Sequence, residues 1–274
     1  MNYVLESPRG YRMPTHFGPL PGPRWAPEGD WRAVDEGQRT VSAWASFDAD
    51  AADIAAVLPE GFEPAARPDL TVEMKNMSHI AWLGGRGYSV VTITTGVRRT
   101  GAADDFPAEG RFKLILWENH ADPIITGRDE LGYPKVFADI SEVEVGDTTA
   151  HVSASWDGFT FLELDLTGLM PGSAALPGGH SYHVKYIPRT GTDGGHDLRQ
   201  TIVTPPGQGP LETIERLEGE GVVRFHRGTF QQLPTLMTII DALAGIRLGD
   251  CRAAGLVRTR GTTDLRDQIV VAED

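Results

Sequence analysis

Gly127-Arg128-Asp129-Glu130-Leu131-Gly132-Tyr133-Pro134-Lys135-Val136-Phe137 is the stretch on which the reading of this chain turns. Gly132 stops a helix, the Tyr-Pro pair holds the backbone extended, and Lys135 then opens an apolar strand, Val136-Phe137-Ala138. Lysine is scarce here: of 25 basic residues only Lys75, Lys113, Lys135 and Lys185 are lysines. Arginine keeps its proton at any biological pH, whereas a desolvated lysine can shed one and attack a carbonyl. Spacing alone leaves three readings open for Lys135: a catalytic amine, a buried structural lysine, or a charge at a strand end.

Around this stretch, strand signals dominate. Alternation predicts strands at Thr40–Phe47, Leu70–Leu83, Tyr88–Val97, Arg111–Trp117, Val136–Val145, Ala150–Trp156 and Phe159–Leu166. Gly84-Gly85-Arg86-Gly87 and Gly146-Asp147 supply turn chemistry between them. Further strands are expected at Tyr182–Ile187, Leu198–Val203, Val222–His226 and Ala254–Thr259. Short helices are expected at Asp50–Leu58, capped by Asp48 or Asp50, from Asp122-Pro123 toward Gly132, and around Leu233–Leu243. Residues 1–33, rich in Pro and aromatics, read as an arm that lies on its own domain or on a neighbouring subunit. Residues 34–274 read as a single domain, mostly β with short helices, and mainly antiparallel.

Bulk properties narrow the partners. With 25 basic and 38 acidic residues, the net charge is −13. That disfavours nucleic acid and anionic membrane, which reward basic surfaces, but leaves room for a small anion held by a local positive site. No run of 18 uncharged apolar residues is present, so no transmembrane helix is expected. The N-terminus carries no signal-like segment, and a cytoplasmic location is the default expectation. Cys251, the one cysteine, excludes an intramolecular disulfide.

Other lysines and motifs have plainer readings. Lys113 and Lys185 each interrupt an alternating run and are expected on a solvated strand face. Lys75 lies two residues after Glu73, on the same strand face, where the two can pair. His180 and His183, three apart on a loop and strand, point to opposite faces and do not suggest a metal site. Gly84-Gly85-Arg86-Gly87 lacks the strand–turn–helix setting of a dinucleotide loop.

Taken together, these segments resemble the acetoacetate decarboxylase-like superfamily. The resemblance rests on Gly127-Arg128-Asp129…Tyr133-Pro134-Lys135, on Asp53-Ile54-Ala55-Ala56-Val57-Leu58-Pro59-Glu60, and on Tyr182-His183-Val184-Lys185-Tyr186-Ile187-Pro188. They fall in the right order over residues 39–190, while the C-terminal third matches loosely. The resemblance implies a cone-like β barrel, a homo-oligomer, and Lys135 as a Schiff-base lysine. It further implies Glu73 as an active-site acid/base, Arg39 as a holder of the substrate carboxylate, and Tyr133 and Val136 as walls of the pocket. Arg128 is expected to be a carboxylate partner or a structural residue of the turn. Two positions depart from the pattern: Val136 stands where the decarboxylases carry a second lysine, and Val90 where they carry a second glutamate.

A free lysine with pKa about 10.4 is almost wholly charged at pH 7, and bringing it to about 7 requires a penalty on the ammonium of about 5 kcal/mol. Without a second lysine at 136, burial by Val136, Phe137 and Tyr133 is expected to provide it. The implied activity is that of a cofactor-independent lyase acting on a small oxo acid. The two departures favour aldol condensation and dehydration of a pyruvate-like donor with an aldehyde. The alternatives are decarboxylation of a 3-oxo acid and a non-catalytic barrel that binds small molecules.

Overall fold

Period-2 alternation sends successive side chains to opposite faces of a sheet, and one long sheet organises this molecule. The computed structural model describes residues 10–25, 37–101, 105–207, 209, 211–262 and 268–273. The first half comprises β1 (Arg39–Ala49), α1 (Ala51–Val57), β2 (Phe62–Pro64), β3 (Asp69–Ile80), β4 (Arg86–Arg99) and β5 (Glu109–Glu118). There follow α2 (Ala121–Asp129), β6 (Lys135–Phe137), β7 (Asp139–Ile140), β8 (Glu144–Val145), β9 (Ala150–Trp156) and β10 (Phe159–Pro171). The chain continues through β11 (Ser181–Pro188), β12 (His196–Thr204), β13 (Glu212–Phe225), α3 (Met237–Leu243), β14 (Leu248–Arg260) and β15 (Ile269–Glu273). The protein is therefore mostly β with short helices.

Among the described residues, hydrogen bonding links 15 strands into one sheet with the order β15-β12-β11-β5-β4-β3-β1-β14-β13-β10-β9-β7, the remaining strands branching from it. Its path is open, and it is mixed: β5 pairs in parallel with β6 and with β11. On one face Ala43, Val72, Met74, Ile93, Ile115 and Trp117 pack with Ile240 and Leu243 of α3 in the main core. Each large side chain so buried contributes about 1.5–3 kcal/mol. The other face of β1, β3, β4 and β5 is free to carry polar groups.

Helix α1 begins where expected, with Asp50 accepting from the amides of Ala52 and Asp53. Helix α2 begins earlier than its Asp-Pro signature predicts: His120 is the cap, its Nδ1 accepting from Asp122 N at 3.3 Å. The single strand expected over Val136–Val145 is three short ones, because β6 pairs with β5 whereas β7 and β8 pair with β9. Strand β13 starts ten residues before the expected Val222, its charged half, Glu212 onward, being held by pairing with β14 rather than by apolar alternation. Of the N-terminal arm, residues 1–9 and 26–33 lie outside the described residues. Residues 10–25 lie on their own chain: Arg12 pairs with Glu130 at 2.8 Å, and Arg24 donates to the Glu130 carbonyl at 2.9 Å.

Asp69 ties β3 to β5 across β4. Its buried carboxylate accepts two bonds from Arg111 (2.8 and 2.7 Å), one from Thr71 Oγ1 (2.9 Å) and one from Gly96 N (3.0 Å). Burial pushes the carboxyl pKa up, but hydrogen bonding and attraction to Arg111 outweigh it, and the net shift is downward. A depressed folded-state pKa stabilises the fold above the unfolded value of about 3.9 and is lost as pH falls through the folded value. We expect Asp69→Asn to cost about 3–5 kcal/mol at neutral pH, because Arg111 loses its charge partner. In urea titrations the loss should shrink on acidification below about pH 4; a variant as stable as wild type at pH 7 would contradict this.

Candidate active site

The polar face of the sheet lines a cavity of about 680 Å³. Ser42 and Trp44 of β1, Glu73 and Lys75 of β3, and Val90 and Thr92 of β4 enter its wall by strict alternation. Strand β5 contributes by a different route. A register shift between Ile93 and Thr94 pairs Ile115 with Ile93 but Lys113 with Thr94, leaving Leu114 as an extra residue. The bulge changes the parity of the strand, so Lys113 and Glu118, five positions apart, share the cavity face. In a regular strand they would point in opposite directions.

Lys135 enters from β6, whose parallel pairing sets it opposite Leu116 of β5. The stretch leading to it is locked by its own hydrogen bonds. Tyr133 N donates to Gly127 O (3.0 Å), Leu116 N to Pro134 O (3.0 Å), and Arg128 Nη1 to Lys135 O (2.7 Å). Gly132 adopts φ +73°, a turn that favours glycine. The Arg128 side-chain bond and the Gly132 backbone angle account for those two residues ahead of the lysine.

The amine is buried. Lys135 Nζ lies 2.8 Å from Glu118 Oε1, with side-chain exposures of 6% and 2%, and donates to Pro123 O of α2 at 3.0 Å. Glu118 Oε2 is buried with no hydrogen-bond partner, a poor setting for a carboxylate. Burial pushes the Lys135 pKa down; Glu118 opposes this and Lys75 adds to it. Burial likewise lifts the Glu118 carboxyl, with Lys135 only partly offsetting it. Both shifts run toward a neutral pair, since burial disfavours the charged form of each partner.

The other predicted site residues separate into two groups. Glu73 and Tyr133 line the cavity with Lys135. Glu73 pairs with Lys75 at 3.1 Å and accepts from Ser42 Oγ at 2.8 Å, so the ion pair expected from sequence lies within the cavity wall. Tyr133 is buried against His183, with ring centroids 4.6 Å apart, and Gln268 Nε2 donates to its hydroxyl at 3.1 Å. His183 donates to Leu131 O at 3.0 Å, and burial, aided by Lys113, drops its pKa to about 3.

Arg39, Arg128 and Val136 do not line the cavity. Arg39 is exposed: its neighbours Gln38 and Thr40 take the cavity side of β1, and alternation turns Arg39 away. Arg128 serves the turn through its bond to the Lys135 carbonyl. Val136, one residue past Lys135, faces the main core beside Trp117. Phe137 is 45% exposed, so neither residue dries the amine. Leu116, Leu131, Tyr133 and the first turns of α2 do so instead.

Glu118 and Lys113 are among the cavity residues that escaped the sequence reading. Glu118 ends an apolar strand, and Lys113 follows the alternation of a solvated face until the bulge is known. Lys113 donates to Ser181 Oγ. Burial, reinforced by Lys75 and opposed by Glu73, brings its pKa down to about 8. Val90, where the resemblance calls for a second glutamate, pairs across β4–β5 with Glu118.

The family model for acetoacetate decarboxylase matches residues 12–248 of the sequence. The chain belongs to the acetoacetate decarboxylase family. Solved structures with a similar fold include three that are distant in sequence. The acetoacetate decarboxylase of Legionella pneumophila subsp. pneumophila str. Philadelphia 1 is 18% identical, with 93% of each chain covered and a TM-score of 0.63. The enduracididine biosynthesis enzyme MppR, solved with the condensation product of pyruvate and imidazole 4-carboxaldehyde, is 14% identical, with 87% of this chain and 88% of that one covered and a TM-score of 0.57. An acetoacetate decarboxylase-like enzyme from Sphingomonas wittichii RW1 is 14% identical, with 92% and 100% covered and a TM-score of 0.60. No curated protein matches the sequence. No helix among the described residues is long and apolar enough to cross a membrane.

Within this family fold, Gly127 has a specific task. A Cβ there would lie 2.4 Å from Lys135 Nζ, closer than atoms can approach, so only glycine lets the amine lie along α2. Gly127→Ala should leave the fold intact, since alanine favours helix by about 1 kcal/mol. It should nevertheless slow borohydride trapping of an oxo acid on Lys135 by at least roughly tenfold, a displacement of about 1 Å being able to cost far more. Unchanged trapping would show that the amine does not need this bed.

Proposed function

We propose that this protein is a Schiff-base lyase in which Lys135 condenses with the ketone of a small oxo acid and Glu118 carries the proton. The observation that supports it best is the buried Lys135–Glu118 pair, 2.8 Å apart, on the wall of a large cavity. A neutral amine attacks the ketone to give a carbinolamine. The Glu118 proton leaves with the carbinolamine hydroxyl as water, and an iminium remains beside a Glu118 carboxylate. Charge and protons balance: neutral amine, neutral acid and ketone become iminium, carboxylate and water.

The preferred continuation keeps the substrate carboxylate. A pyruvate-like iminium loses a methyl proton to a carboxylate of the cavity, Glu118 or Glu73, and the enamine adds to an aldehyde. Loss of water gives an unsaturated iminium, and hydrolysis by another water molecule frees the unsaturated oxo acid and returns the Lys135 amine. A cavity of 680 Å³ has room for both a three-carbon donor and an aldehyde. MppR, solved with a pyruvate–aldehyde condensation product, offers a precedent on this fold.

Incubation of the protein with pyruvate and an aromatic aldehyde tests this reading. The expected product is a conjugated oxo acid, seen as a new ultraviolet band and confirmed by mass. Carbon dioxide released from acetoacetate, with no aldehyde product, would favour decarboxylation. No product and no borohydride-trapped adduct with either acid would leave a binding barrel.

A further inference from the structure

Three basic side chains lining the cavity have a carboxyl group within ion-pair distance: Lys75 has Glu73, Arg111 has Asp69 and Lys135 has Glu118. Lys113 and Arg216 have no such partner among the described residues. Arg216 is carried by β13, with β14 and β1 between it and the wall formed by β3, β4 and β5. Lys113 and Lys135 line the same cavity and share Tyr133 as a neighbour. Both side-chain nitrogens lie over the Tyr133 ring, Lys113 Nζ at 5.6 Å and Lys135 Nζ at 5.7 Å from its centroid.

We propose that Lys113, seated on Ser181 Oγ, holds the carboxylate of the oxo acid that condenses with Lys135. The assignment rests on the imine reading above and fills the place that Arg39, facing away, leaves open. An ammonium on the cavity wall with no carboxylate within ion-pair distance can take a bound carboxylate without displacing an internal ion pair. A substrate carboxylate held by Lys113 while its ketone meets Lys135 makes the substrate an oxo acid rather than a neutral ketone. It also keeps that carboxylate clamped, as the aldol route requires.

Charge on Lys113 sets a pH limit. Glu73 and Lys75 face it from β3, Arg111 adjoins it on β5, and Ser181 and the neutral His183 face it from β11. With its pKa near 8, Lys113 is an ammonium at pH 7 and loses its proton as pH rises through 8.

The test is borohydride trapping on Lys135 of pyruvate and of its uncharged methyl ester, followed by intact mass as a function of concentration. Lys113→Met should raise the half-saturating pyruvate concentration at least tenfold and change that for the ester less than twofold. Lys113→Arg, which keeps the charge, should retain most of the preference for the acid. In wild type the preference should fade above about pH 8. Equal effects of Lys113→Met on acid and ester, or none on either, would overturn the assignment. Failure of wild type to trap either compound would overturn the imine reading itself, and this assignment with it.

Discussion

Lys135→Ala should abolish the trapped adduct and lower turnover by roughly 10⁴-fold or more, since deleting a covalent nucleophile removes the pathway rather than slowing one step. The fold should survive the change. Lys135 occupies a three-residue strand whose pairing with β5 uses backbone groups, and Arg128 holds its carbonyl rather than its side chain. Glu118 would lose its partner, but burial raises its pKa and loss of Lys135 removes the group that opposes this, which eases its protonation. Steady-state kinetics, with circular dichroism to verify folding, decide the matter. Near-wild-type turnover in a folded Lys135→Ala protein would contradict the proposed chemistry.

The second large effect concerns Glu118. Glu118→Gln keeps the size of the side chain and removes its capacity to take and return a proton. Imine formation and turnover should fall by about 10²–10⁴-fold, the usual scale of a lost general acid–base. Reactivity of the amine itself should not fall, because the carboxylate is the neighbour that favours the ammonium. Acylation of Lys135 by a small neutral reagent, which needs no acid, should therefore proceed at least as fast as in wild type. This split separates a proton carrier from a merely structural neighbour. Parallel losses in acylation and turnover would mean that Glu118 only positions the lysine.

Much of the architecture is legible from period-2 alternation, and Lys135 stands out because lysine is rare and its lead-in, Gly132-Tyr133-Pro134, is rigid. The same alternation hides the rest of the site. The extra residue Leu114 turns Lys113 and Glu118 to one face, and no sequence pattern marks the bulge. Lys113 therefore reads as solvated, and Glu118 as the polar end of a strand. Arg39 and Val136 fail for the converse reason: each is one residue out of phase with the cavity face. The charged part of β13 is extended only because β14 is beside it, which is tertiary information. In Lys75–Glu73, by contrast, a two-residue spacing suffices to bring the charges together.

The pH dependence of trapping at Lys135 tests the central claim most directly: that one buried amine is held uncharged, with its proton on a neighbouring acid. Adducts would be reduced with borohydride at saturating methyl pyruvate and mapped by peptide mass across a range of pH. The account predicts a single adduct, on Lys135, whose rate levels off well below the value of about 10.4 expected of an ordinary lysine. An adduct on Lys75 or Lys113, or a rate that keeps climbing tenfold per pH unit to that value, would contradict it.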